Sequence, residues 1–185
     1  MKNIKSKKII MIIFISILVM MLLTGCTTIE QGEDTSSTSA NAKEKIVLKV
    51  GDTWTVDGQW NLTIDSVETT EDRNKFSDKE PEQVVIITFS YENLGYEDDI
   101  GIMNGLFFDL EPNGDAIVID SKGEMAYSYP GNITTYAQET PVGAKCMGAQ
   151  ACAGLNNESD TIKMTINKYD SNGKKQKMEF ELKVD

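Results

Sequence analysis

After Ile46 no stretch of this chain carries a persuasive helical period, while segment after segment alternates apolar and polar residues between turn signals. Side chains that alternate with period two line opposite faces of a strand, so the pattern points to an all-β fold. Trp60-Asn61-Leu62-Thr63-Ile64-Asp65-Ser66-Val67 sets Trp60, Leu62 and Ile64 on one face, which predicts Trp60 as a core residue. Trp54-Thr55-Val56 precedes it across Asp57-Gly58, a hairpin-type turn signal. Ile46-Val47-Leu48-Lys49-Val50 reads as a first strand stopped by Gly51-Asp52. Gln83 to Asn93 is the strongest strand, apolar on both faces at its start, as a central strand is. Leu106 to Leu110 and Ala116 to Asp120 flank Glu111-Pro112-Asn113-Gly114-Asp115 and are expected to form a hairpin. Pro141-Val142-Gly143 introduces a strand through Leu155, and Thr161 to Tyr169 and Lys177 to Val184 alternate on either side of a turn at Asp170 to Lys174. Between these lie Glu68 to Glu82, a charged solvated loop, and Ser121 to Glu139, a long crossover with little regular structure. Roughly seven to nine short strands punctuated by turns predict a β-sandwich, with a barrel as the alternative.

The first 25 residues obey different rules. Lys2, Lys5, Lys7 and Lys8 form a basic head, and Ile9 to Leu23 is apolar except for Ser16. That run is too short for a comfortable bilayer span and suits the hydrophobic region of an export signal. Leu23-Thr24-Gly25-Cys26 follows, an aliphatic residue and two small residues before a cysteine. It resembles the lipobox of bacterial lipoproteins. The resemblance implies cleavage after Gly25 and a diacylglyceryl group on the sulfur of Cys26, which becomes the mature N-terminus. Two acyl chains anchor a protein stably where one does not. Residues 26–45 then read as a lipidated cysteine and a flexible polar tether, with almost no apolar residue to offset the entropy of ordering. Residues 46–185 are left as one domain at the extracytoplasmic face of the cell membrane.

Composition narrows the function. Loss of the leader removes four lysines and leaves 14 of the 18 basic residues against all 29 acids, a net of −15 in place of −11. Such a surface is a poor footprint for nucleic acid, whose phosphates call for a basic face. The chain has no histidine. This excludes Ser-His-Asp and Cys-His catalysis and the histidine-bearing metal centres, so no catalytic residue, metal ligand or cofactor is assigned beyond the covalent lipid. Glu97-Asp98-Asp99, Asp109 and Glu111 offer oxygens, but their spacing matches no calcium loop and fits a solvated acidic surface better. Cys146 and Cys152 would lie roughly 20 Å apart in an uninterrupted strand. A disulfide would require a bulge at Met147-Gly148-Ala149; the alternative is two buried thiols. Tyr127, Tyr129 and Tyr136 beside Pro130-Gly131 are either an interaction loop or a cap on the open end of the sandwich.

Val50-Gly51-Asp52-Thr53, the long strand closing on Glu92-Asn93-Leu94-Gly95, and Pro141-Val142-Gly143 before a late strand resemble DUF4352-type domains. Those are immunoglobulin-like sandwiches of Gram-positive lipoproteins, with a fold like the MPT63 antigen. The resemblance implies an immunoglobulin-like β-sandwich and brings no catalytic residues with it. The expected protein is a lipid-anchored binding module whose partner is an unidentified extracytoplasmic protein or ligand. Contacts are expected from loops such as Asn93 to Gly105 and Ser121 to Glu139. An envelope enzyme or inhibitor using acidic residues is the alternative.

Overall fold

The computed structural model describes residues 45–97, 105–131 and 133–185. The leader, the lipobox with Cys26, nearly all of the tether, and Asp98 and Asp99 lie outside the described residues. Two sheets pack face to face. The first has the order β1 (Val47–Leu48), β9 (Lys175–Lys183), β8 (Thr161–Tyr169), β5 (Ala116–Ile119). The second has the order β2 (Thr53–Val56), β3 (Trp60–Thr70), β4 (Gln83–Asn93), β7 (Lys145–Leu155), β6 (Tyr127–Ser128). All pairings are antiparallel except that of β1 with β9. No helix occurs among the described residues. The all-β sandwich expected from the alternation is the fold.

The inward faces form one core. Trp60, Leu62 and Ile64 of β3, Val85, Ile87, Phe89 and Tyr91 of β4, and Ile162, Met164, Ile166, Phe180 and Leu182 from the opposite sheet are all buried in it. β4 has the predicted bounds, and the reason its start is apolar on both faces is local. Val84 points outward and is buried with Tyr129 and Cys152 in a second, smaller cluster on the outer face of the sheet.

Two irregularities change which residues face inward. The β3–β4 register shifts between Ile64 and Ser66, so the inward positions of β3 pass from Ile64 to Val67. The β4–β7 register shifts between Phe89 and Tyr91, and Gly148 takes a left-handed φ of 64° there. Such bulges bend a strand and step its alternation by one residue. Both flank Ser90, whose hydroxyl donates to Asp65 at 2.6 Å and accepts from the Gly148 N–H at 3.0 Å.

The expected hairpin of Leu106 to Leu110 with Ala116 to Asp120 does not form. β5 pairs with β8, and Leu106 makes only an isolated bridge to Thr140. Leu106, Phe108 and Leu110 do alternate into the core, but no strand pairs with them. The turn between uses its own groups instead: the Asp109 N–H donates to the Asp115 carboxylate, the Asp115 N–H to the Asp109 carbonyl, and Asn113 sits at φ 81°. The first strand is also shorter than expected, because the Lys49 N–H turns to the Asp52 carboxylate at 2.8 Å.

After β5 the chain reverses around Asp120, which is buried. Burial pushes this carboxyl up, but the Asn157 amide and the Glu124 and Lys122 N–H groups donate to it and hold it below its usual value. A carboxyl lowered in the folded state stabilises at neutral pH, and that stability is lost as pH falls through the folded value. Urea midpoints measured on acidification below about pH 4, the ordinary aspartate range, are expected to fall more steeply for the wild type than for Asp120→Asn. Equal slopes would refute the role of Asp120.

Candidate interaction surface

Between β3 and β4 the chain makes a loop whose order comes from one residue. Asn74 donates its backbone N–H to the Tyr129 hydroxyl at 2.8 Å and its side-chain amide to the Pro130 carbonyl at 3.0 Å. Its Oδ1 accepts from the Phe76 N–H at 2.9 Å, and its carbonyl accepts from Ser77. An amide side chain carries its donor and its acceptor on separate atoms, so one residue serves both. Arg73, the single arginine of the sequence, donates to the Thr70 carbonyl at 2.7 Å and to that of Asp72 at 3.2 Å.

The loop rests on the outer cluster of Val84, Tyr129 and Cys152, flanked by half-buried Tyr127 and Ile133. Two glycines make that packing possible. A Cβ at Gly131 would stand 2.4 Å from the Cys152 sulfur, and one at Gly154 would stand 2.7 Å from the Tyr127 ring. Lys79 holds its ammonium 4.1 Å above the Tyr127 ring.

This support presents Phe76 to solvent with 97% of its surface exposed. A cleft of about 420 Å³ lies between Asp72 to Phe76 and Pro130-Gly131, and another of about 370 Å³ runs along Arg73 to Lys75 toward Pro81 and Tyr129. The ion pairs among the described residues lie elsewhere, at Lys45, Lys145, Lys168, Lys177 and Lys183. Among the described residues, then, no ion pair holds Arg73, Lys75 or Lys79, on a protein that is otherwise strongly acidic.

The three tyrosines do not form one surface. Tyr129 is buried and supports Asn74, Tyr127 is half-buried beneath Lys79, and Tyr136 is 66% exposed. The loop of Asn74 and Phe76 was legible only as a charged connection. Its sequence signal is Phe76 itself, a lone large apolar residue in an otherwise polar run.

Cys146 and Cys152 are unbridged and buried. The bulge turns Cys146 into the inter-sheet core and leaves Cys152 in the outer cluster, on the other face of the sheet. A bridge through the sheet is incompatible with that placement. Burial, assisted by the Glu111 carboxylate, pushes the Cys152 thiol up to about 11. Thiolate is the reactive form, so a thiol reagent near pH 8 is expected to leave Cys152 unmodified in the folded protein. Both Cys146 and Cys152 are expected to react in denaturant without reductant; mass spectrometry showing either one blocked would contradict the placement.

Of the acids that offer oxygens, Glu97 is exposed, while Asp109 and Glu111 hydrogen-bond to neighbouring groups of the fold. Asp109 accepts from the Glu111 N–H at 3.2 Å, and Glu111 accepts from the Ser128 hydroxyl at 2.5 Å. A shallow groove of about 260 Å³ on the outer face of the larger sheet holds Thr53, Asn61, Thr63, Ser90 and Glu92. Its hydroxyls and amides bond across the strands, as in Thr53 with Thr63 at 2.9 Å, so it reads as a satisfied solvent face.

No family model matches the chain, and no curated protein matches it. Among solved structures it is similar to MPT63, a secreted protein from Mycobacterium tuberculosis, at 13% identity and a TM-score of 0.50 over 77% of this chain and 99% of that one. It is also similar to the yjhA protein from Bacillus subtilis, at 13% identity and a TM-score of 0.45 over 75% of this chain and 100% of that one. The likeness to MPT63 is one of fold alone.

Proposed function

We propose that this chain is a lipoprotein held at the extracytoplasmic face of the membrane by a diacylglyceryl group on Cys26, with the β-sandwich acting as a non-catalytic binding module. The observation that carries the reading of the domain is Phe76, an aromatic side chain kept in water by a loop that Asn74 and Tyr129 hold in place. A ring held out on an ordered loop offers apolar area whose burial against a partner would be favourable. The leader, the Leu23 to Cys26 run and the likeness of fold to a secreted protein support an extracytoplasmic location.

An enzyme or inhibitor working through acids would call for paired carboxylates held neutral in a closed pocket. The carboxylates with displaced titration instead favour the binding module. Asp120, Asp170 and Glu179 are all moved downward by hydrogen bonds, those of Asp120 and Asp170 in turns and those of Glu179 from Lys45 and Lys177.

Cell fractionation tests both parts. Cys26→Ala is expected to move the protein from the membrane fraction to the soluble one, because it removes the sulfur that would carry the two acyl chains; unchanged membrane retention overturns the anchor. Phe76→Ala in that released background is expected to lower the residual association with washed envelopes while shifting stability by less than about 0.5 kcal/mol. Association that is unchanged by Phe76→Ala overturns the assignment of the surface.

A further inference from the structure

The tip of the Asn74 loop has a composition that its surroundings lack. Arg73-Asn74-Lys75-Phe76-Ser77 holds two cations and one aromatic ring and no acid, in a chain of net charge −11. Among the described residues neither cation is in an ion pair, and the ring is 97% exposed. A ring flanked by basic side chains suits the boundary between headgroups and acyl chains, where the ring enters the apolar layer and the cations meet phosphate. From these observations we propose that the tip docks on the anionic bilayer to which the chain is anchored, with Phe76 inserted and Arg73 and Lys75 on lipid phosphates. This inference rests on the lipid anchor proposed above.

The position of the tip permits it. The described chain begins at Lys45, which pairs with Glu179 on β9, while the loop leaves the sheet beside Asp185, where the Thr69 N–H bonds the Asp185 carbonyl. Six residues of extended chain separate Glu179 from Asp185, so the tip stands about 20 Å farther along the sandwich than the point where the chain enters. Residues 27–44 span up to about 60 Å when extended. That length is enough to let the far end of the domain turn to the surface. An anchored domain also meets its own membrane at a high effective concentration, so a contact too weak to recruit a free protein suffices to orient a tethered one. Asp72 and Asp78 bracket the tip, which limits its attraction to close range and makes it sensitive to salt.

The test uses the full, processed chain carrying Phe76→Trp, reconstituted into vesicles with brominated acyl chains. One set is equimolar phosphatidylglycerol and phosphatidylcholine, the other phosphatidylcholine alone. Trp54 and Trp60 are buried in the core, and wild-type protein supplies their background emission. The emission added by Phe76→Trp is expected to be quenched in the anionic vesicles and not in the neutral ones. Adding Arg73→Gln and Lys75→Gln removes two cations worth about fivefold each in surface partitioning, so docking is expected to fall about 25-fold. Vesicle flotation is read on the same samples. Protein that floats without quenching in anionic vesicles overturns the docking alone, as does equal quenching in neutral vesicles or quenching that survives the double substitution. Protein that fails to float overturns the anchor, and the docking falls with it.

Discussion

Trp60→Ala is expected to lower the unfolding free energy by about 4 kcal/mol, the middle of the range for emptying a large aromatic site in a core. The side chain is fully buried, and three rings meet it edge-on: Trp54 at 5.6 Å, Phe108 at 5.8 Å and Tyr96 at 5.9 Å. Those contacts tie β2, β3 and the segment before β5 together, so the cavity left by alanine opens where several elements converge. The indole N–H has no acceptor among the described residues, which leaves packing to carry the effect. Trp60→Phe keeps a ring and is accordingly expected to lose less than half as much. Urea unfolding followed by far-ultraviolet circular dichroism reads both variants; a loss below about 1.5 kcal/mol for Trp60→Ala would show that the aromatic cluster is not central to stability.

Asn93→Ala is expected to cost about 3 kcal/mol although it removes no apolar surface. Asn93 is fully buried at the end of β4. Its Oδ1 accepts from the N–H groups of Gly95 and Tyr96 at 3.0 and 2.7 Å, and its amide donates to the carbonyls of Tyr96 and Thr140 at 3.0 and 2.8 Å. Alanine would take one hydrogen bond from each of those backbone groups, although the Thr140 carbonyl still accepts from the Leu106 N–H at 2.9 Å; a buried polar group left unsatisfied costs about 1–3 kcal/mol, less where water enters. The bond to Thr140 also joins two segments far apart in sequence, and Thr140 in turn bridges to Leu106. Hydrogen exchange is therefore expected to speed up at Gly95, Tyr96 and Leu106 together. A stability loss under about 1 kcal/mol, or faster exchange confined to Gly95 and Tyr96, would count against the role of Asn93 as a clamp.

The two substitutions also mark how far the sequence could be read. Trp60 was legible as core, because a tryptophan in phase with Leu62 and Ile64 has one face on which to hide. Asn93 was legible only as the end of a strand. The bonds of its amide to Thr140 arise from residues 47 positions away, and no local pattern encodes them. Phe76 belongs to the same class. In the sequence it is one apolar residue in a charged loop, and its exposure follows from Asn74 meeting Tyr129 and Pro130 more than 50 positions later.

Taken alone, the amino-acid sequence determined the leader pattern, the long strands, most of the turns and the inward face of strand stretches that contain no bulge. These are properties of near neighbours: period-two alternation, the backbone freedom of glycine, and a polar stretch that cannot offset the entropy of its own ordering. Only the tertiary structure decided that β5 pairs with β8 and not with Leu106 to Leu110, and that the bulge in the β4–β7 pairing sends Cys146 and Cys152 to opposite faces. It also placed Phe76 beside Pro130-Gly131. The physical reason is the same in each case. Strand pairing, bulge position and loop docking are settled by contacts between distant segments, where a shift of one residue in register exchanges the two faces of a strand.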